Sequence, residues 1–382
     1  MASRHRIAIV GAGIAGLTAA EQLRVGGYDG EIYLIGDESH RPYSRPTLSK
    51  QVLMDGWLED EIALGSESKL EDMNIQHFPA TEVLGLDTES RELSTEHENL
   101  RFDQLVIATG TRARTLSQAP QLPSLRTIED AFFIRSALES ARSVVVIGGG
   151  VLGSEIASAA NAKGADVHLL ARSASLTFGS LGEILSPELA TLHEKNNVGV
   201  HFNSEVLKVE KNAHTTKVFL SNGTTIESDF VVTAIGSVPC VDWLRNSNLD
   251  MSNGVICDAT GLAAPGIYAI GDVAAWPDPF SGIPTRTEHQ SNAIEQAIAV
   301  ANNIIHGTPP KAPIPFFWSE IHDARIKAYG WFNQPTLIRE AHQESDGFLI
   351  SNSKNNVTRG IVGWNVSPRA FNKSRVLVDQ SV

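Results

Sequence analysis

The sequence predicts an α/β protein made of two related α/β units, the second inserted in the first. Three observations predict it. At 382 residues the chain is too long for one ordinary core. It carries two copies of a strand–glycine turn–helix pattern, "RIAIVGAGIAGLTAAEQL" and "SVVVIGGGVLGSEIASAANAKG". Each copy is followed, after a long excursion, by a matching apolar strand that ends at glycine: "FDQLVIATG" and "SDFVVTAIG".

The elements follow in order. Arg4-His5-Arg6 and the apolar run 7–20 resemble a signal peptide, but the run is broken by Gly11, Gly13 and Gly16 and no convincing cleavage site follows. A β-branched strand feeding Gly11-x-Gly13-x-x-Gly16 and then an Ala-rich helix is the context a dinucleotide fingerprint requires. The first glycine permits the tight turn, the second admits a pyrophosphate, and the third lets helix pack on strand. The helix N-terminus then holds phosphate charge. The next strand, 31–35, runs into Gly36-Asp37-Glu38, so Asp37 or Glu38 can accept from ribose hydroxyls. The closing strand ends at Ala108-Thr109-Gly110.

The second copy turns through Gly148-x-Gly150-x-x-Gly153, and its next strand, 166–170, ends in Leu170-Ala171-Arg172 with no acid. An arginine there suits a 2′-phosphate and favours NADPH over NADH. The unit closes at Ala234-Ile235-Gly236. "GLAAPGIYAIGDVAAW", a strand, glycine and acid turn reaching Asp272, is read as the tail of the first unit. The second apolar run, 144–160, contains three consecutive glycines and Glu155 and is a poor membrane span.

Composition bounds the function. The net charge of −13 argues against a nucleic-acid binder as a whole. That charge is uneven: residues 301–382 carry nine Lys/Arg against six Asp/Glu, while residues 1–300 are strongly acidic. Cys240 and Cys257 make neither a secreted disulfide scaffold nor a C-x-x-C motif, so the cytoplasm is the expected compartment. The twelve histidines lack the paired spacing or cysteine partners of a zinc site, and no metal is expected. Neither a G-x-S-x-G elbow nor a P-loop lysine is present.

The order of motifs resembles the FAD-dependent pyridine nucleotide-disulfide oxidoreductases, specifically the ferredoxin reductases of dioxygenase and cytochrome P450 systems, the putidaredoxin reductase branch. The most specific stretches are "LIGDESHRPYSRPTLSK" (34–50), "GIYAIGD" (266–272) and "PFFWSEIHDARIKAYG" (315–330). The resemblance implies two Rossmann-like three-layer (ββα) domains and a small α+β C-terminal domain. It implies an FAD-binding domain over 1–112 and 240–314, an NAD(P)H-binding domain over 113–239, and a third domain over 315–382. Members that work through a thiol carry cysteine near the first FAD helix; here 42–50 reads PYSRPTLSK, so electrons are expected to leave the flavin directly.

The resemblance also assigns roles. Lys50 would lie by the isoalloxazine, with Glu155 paired to it or on the nicotinamide side; a buried Lys–Glu pair is reasonable because either charge alone is costly. Asp272 would hold the ribityl chain. Ala15, Val83 and Gln290 would contact FAD mainly through backbone. Arg45 and Arg135 would serve the pyrophosphate or adenine side, Thr109-Gly110 would pass beneath the cofactor, and Trp318 would lie near the ring. Two segments depart from the family pattern: Glu288-His289-Gln290, and Glu320-Ile321-His322 after the Trp-Ser pair. Both are expected where nicotinamide and flavin meet.

The expected partner is an acidic [2Fe-2S] ferredoxin in transient docking, with no nucleic acid and no membrane. Its candidate docking face is the basic C-terminal stretch with Arg325, Lys327, Arg339, Lys354, Arg359, Arg369, Lys373 and Arg375. Alternatives are a reductase of a small acceptor such as a quinone or monodehydroascorbate, a signalling flavoprotein akin to apoptosis-inducing factor, and a flavin monooxygenase.

Overall fold

After its first residue the strand Arg6–Val10 is apolar, and Ile7, Ala8, Ile9 and Val10 are buried, as in a strand covered on both faces. It sits inside a six-stranded sheet in a computed structural model that describes residues 5–179, 181–307, 313–332, 336–341, 347–354 and 357–378. The sheet order is Leu262–Ala264, Ile267–Ala269, Gln104–Ile107, Arg6–Val10, Glu31–Ile35, Ile75–Phe78. All pairings are parallel except the outermost, Leu262–Ala264 on Ile267–Ala269. Helices Ile14–Val25 and Gln290–His306 pack side by side and share the sheet's core. A three-stranded meander, Val83–Asp87, Glu92–Thr95 and Asn99–Arg101, contributes Leu86, Leu93 and Leu100 to that core.

The second glycine motif builds a smaller copy. Its four parallel strands run in the order Val198–His201, Asp166–Leu170, Ser143–Ile147, Phe230–Thr233. Alternation divides the buried faces: Val144, Val146, Val167 and Leu169 face a core with helices Ile128–Ser140, Val151–Ala162 and Gly182–Lys195, whereas Val145, Ile147 and Leu170 face the meander Val206–Lys211, Thr216–Leu220, Thr225–Ser228. The chain enters this unit through Thr111–Ala113 and leaves it through Ser237–Pro239, and those two strands pair antiparallel.

The last part is a five-stranded antiparallel sheet in the order Phe316–Ile321, Ala324–Gly330, Val357–Trp364, Phe348–Lys354, Thr336–Ala341, followed by helix Pro368–Arg375. Ser367 caps that helix by accepting from the Ala370 N–H. Among the described residues, no helix is long and apolar enough to cross a membrane.

Candidate functional site

Each glycine turn does the steric work its spacing requires. Gly11 has φ +111°, and a Cβ there would lie 2.2 Å from the Ala108 carbonyl oxygen; at Gly16 it would lie 1.9 Å from the Gly11 oxygen. Gly148 and Gly153 repeat this against Ala234 and Gly148 at 2.2 and 1.8 Å. Gly13 differs, because a Cβ there meets nothing within 4 Å. It caps helix Ile14–Val25 without a side-chain hydrogen bond, as Gly150 caps Val151–Ala162. Both helix N-termini therefore turn N–H groups into open cavities, an arrangement suited to a phosphate.

The first cavity, about 740 Å³, is lined by Gly11, Gly13, Ala15, Asp37, Arg45, Lys50, Val83, Thr109, Gly110, Asp272, Gln290 and Trp318. The second, about 1500 Å³, is lined by Gly148, Gly150, Glu155, Arg172 and Gly236. Gly16 and Gly153 stand behind these walls, packing helix on turn. Arg135 lies apart from both cavities: its guanidinium donates to the Trp57 carbonyl at 3.1 Å and stacks on Phe132.

The residue that sequence reasoning missed is Arg126, which lines both cavities. Its Nη2 donates to Asp272 Oδ2 at 3.3 Å, while its buried Nε has no partner among the described residues. Burial pushes the Asp272 carboxyl up, opposed by Arg126. Both acids after Glu31–Ile35 lie on the wall of the first cavity, and Glu38 there accepts from Arg45 and from the Tyr43 hydroxyl. Burial pushes the Tyr43 phenol up, so it stays a donor.

On the wall of the first cavity, residues Leu48–Val52 form a π-helical turn whose Ser49 and Lys50 are buried. Lys50 Nζ meets Glu155 Oε1 at 2.8 Å, with side chains 6% and 5% exposed. The Glu155 carboxylate also accepts from Ser49 and Ser319, and Lys50 Nζ lies 4.8 Å from the Trp318 ring centroid. Glu155 sits on the shared wall of the two cavities with Arg126, Val151, Leu152, Glu288, His289 and Phe317. Thus a paired cation lies where the contents of the cavities would meet.

The two departures from the family pattern part company here. Glu288 and His289 line both cavities. Glu320, Ile321 and His322 do not: Ile321 is fully buried, and His322 packs against His193 of the second unit with ring nitrogens 3.1 Å apart. Of the basic C-terminal stretch, Arg325, Arg339, Arg369 and Lys373 are exposed. Arg339 is tied to Glu188, Lys327 lies over Phe371, and Arg375 lies over Phe316 and Tyr329. Arg359 lies over Phe280, and the Lys354 side chain lies outside the described residues.

Residues 5–297 match the family model described as pyridine nucleotide-disulphide oxidoreductase. The chain is 35% identical over 338 residues to the benzene 1,2-dioxygenase system ferredoxin–NAD(+) reductase subunit of Pseudomonas putida, covering 87% of this chain and 82% of that one. It is 34% identical over 335 residues to a rubredoxin–NAD(+) reductase of the same organism, covering 85% and 86%. Among solved structures, putidaredoxin reductase in its covalent complex with putidaredoxin superposes with TM-score 0.90 at 28% identity over 99% of this chain and 96% of that one. A ferredoxin reductase from Rhodopseudomonas palustris gives 0.91 at 29% identity, covering 99% and 95%.

Proposed function

The chain belongs to the pyridine nucleotide-disulphide oxidoreductase family, and from that premise we propose an NAD(P)H-dependent ferredoxin reductase with FAD in the first cavity and the nicotinamide nucleotide in the second. The observation that carries the reading is the Lys50–Glu155 pair on the wall between two cavities, each opened by a dinucleotide turn. The residues present fit FAD: a glycine with free space at Gly13, uncapped helix N–H groups, an acid at Asp37, and an unpartnered guanidinium nitrogen on Arg126.

In this reading the Ile14–Val25 N-terminus takes the pyrophosphate, Asp37 the adenosine ribose, and Asp272 with Arg126 the ribityl and phosphate region. Arg126 takes over the anion-binding role expected of Arg135. Bound FAD supplies the exchange between a two-electron hydride donor and a one-electron acceptor. Lys50 holds a positive charge where negative charge would accumulate, and Glu155 keeps that ammonium fixed and neutralised in the resting protein. Val151, Leu152 and Phe317 give the seam its apolar surface. The chain brings no cysteine into 42–50, so an iron–sulfur partner is served without a thiol relay. The domain division at 1–112 with 240–314, 113–239 and 315–382 belongs to the same proposal, supported by the paired crossover strands Thr111–Ala113 and Ser237–Pro239.

The relatives are named for NAD(+). Arg172 is exposed on the second cavity beside buried Ala171, with no acid at that strand end. This supports NADPH as the favoured donor. The test is stopped-flow reduction of the purified yellow protein by NADPH and by NADH, followed by addition of [2Fe-2S] proteins. Bleaching by a nucleotide and reoxidation by a ferredoxin are expected; bleaching by neither nucleotide overturns the reading.

A further inference from the structure

The Glu155 carboxylate joins three parts of the chain. It stands on helix Val151–Ala162 of the second unit, while Ser49 and Lys50 come from the π-helical turn of the first. Ser319 comes from the edge strand Phe316–Ile321 of the C-terminal sheet. The two carboxylate oxygens are not equivalent. Oε1 meets Lys50 Nζ at 2.8 Å and accepts from the Ser319 hydroxyl at 2.6 Å, whereas Oε2 accepts from Ser49. Ser319 is only 1% exposed, so its hydroxyl is closed to bulk water and committed to this contact.

The strand is fixed on the helix at two points. Ser319 bonds Glu155, and three residues on, the His322 N–H donates to the Ser158 hydroxyl at 2.7 Å. Glu155 and Ser158 are also three apart, neighbours on one helical face. Between the two bonds, fully buried Ile321 packs in the same core as Ile156 and Ala157 of the helix. Ser319 therefore reaches Glu155 from a strand held on both sides of the contact. A hydroxyl donating to a carboxylate makes a charge-assisted bond, stronger than the same bond to a neutral acceptor. On the oxygen that faces Lys50 it also draws negative charge away from the ammonium. More of the cation's field is then left for negative charge accumulating in the first cavity.

Resting on the reading above, we propose that Ser319 is a positioning residue for the transfer: its hydroxyl holds the Glu155 carboxylate against Lys50 and so sets, from the C-terminal sheet, how far that cation is neutralised.

The test compares two substitutions in two backgrounds. Ser319→Ala removes the hydroxyl, and Ser319→Thr, suited to a strand, keeps it. The backgrounds are the parent and a neutral one, Lys50→Met with Glu155→Gln. Two readouts are taken: the midpoint potential of the flavin-loaded protein, and denaturant unfolding of the flavin-free protein. In the parent, Ser319→Ala is expected to lower the flavin reduction equilibrium constant about threefold to tenfold, with Ser319→Thr within about twofold. In the neutral background the change should fall below about twofold, because the charge through which Ser319 acts is gone. The unfolding equilibrium constant should rise about tenfold or more for Ser319→Ala in the parent, and only about threefold in the neutral background. A parent-like potential for Ser319→Ala, an equal drop for Ser319→Thr, the same drop in the neutral background, or equal unfolding changes in the two backgrounds overturns the proposal. Should Ser319→Thr fail to fold, the comparison of backgrounds decides it; should Ser319→Ala fail to retain flavin, the unfolding comparison does. A parent protein that takes up no flavin, or is reduced by neither nucleotide, instead fails the functional reading and removes the basis of this one.

Discussion

Lys50 and Glu155 are both withdrawn from water, and their mutual attraction with two serine hydroxyls and the Pro46 carbonyl offsets that cost. Removing one partner leaves the other charge buried alone. Lys50→Met should therefore lower unfolding stability by about 3–5 kcal/mol, and adding Glu155→Gln should restore most of it. Denaturant unfolding of the flavin-free protein checks this; a Lys50→Met loss under about 1 kcal/mol would contradict the pairing argument. His193 gives a second, pH-dependent case. Its ring is fully buried against His322, and burial first, then the His322 ring, pushes it down to about 3. The unfolded chain binds that proton near an ordinary histidine value of about 6.5. The resulting stability is full above about 6.5 and is lost as pH falls toward 3, by about 1.4 kcal/mol per pH unit. His193→Gln should flatten the acid limb of a stability–pH curve; an unchanged slope would show that this ring is not responsible. The pairing of Lys50 with Glu155 was legible because a lysine after Arg45-Pro46 and an acid just beyond Gly153 stand inside recognisable segments. Arg126 was not legible, because its partner Asp272 lies 146 residues away and only folding brings them together.

At the scale of elements, the two glycine turns separate steric from binding roles. A methyl at Gly16 would collide with the Gly11 carbonyl and push the helix Ile14–Val25 off its strand, whereas a methyl at Gly13 would enter only the cavity. Gly16→Ala is expected to destabilise even the flavin-free protein by about 1–3 kcal/mol as an overpacked site. Gly13→Ala should leave that stability within about 0.5 kcal/mol of the parent while weakening flavin retention. Thermal unfolding with and without added FAD reads both. Equal flavin-free losses for the two variants would refute the distinction. Strand, turn and helix were readable at both motifs because local sterics dictate them. The π-helical turn Leu48–Val52 was not, because its wide form places Ser49 and Lys50 where a distant glutamate and a serine of the C-terminal sheet can meet them.

For the whole molecule, charge and the second cavity decide partners. The exposed Arg172 makes a direct prediction: Arg172→Glu should reverse nucleotide preference toward NADH, with kcat/KM for NADPH falling by about tenfold or more, since a like charge replaces a pairing one. Unchanged preference in steady-state assays would remove the 2′-phosphate argument. If exposed basic residues such as Arg325, Arg369 and Lys373 help dock an acidic ferredoxin, its reduction should fall steeply with salt while reduction of a small neutral dye does not. Salt-insensitive ferredoxin reduction would exclude this face as an electrostatic dock. By itself the sequence determined the two α/β units, the nesting of one in the other and the absence of a thiol near the flavin turn, because glycine sterics, strand hydrophobicity and cysteine count are local properties. Only the tertiary structure decided that Glu38, on the same cavity wall as Asp37, is engaged by Arg45 and Tyr43. It alone separated Arg126 from Arg135, and His289 at the seam from His322 outside it. Those choices depend on which side chains packing brings within hydrogen-bond reach, and spacing along one chain does not encode that distance.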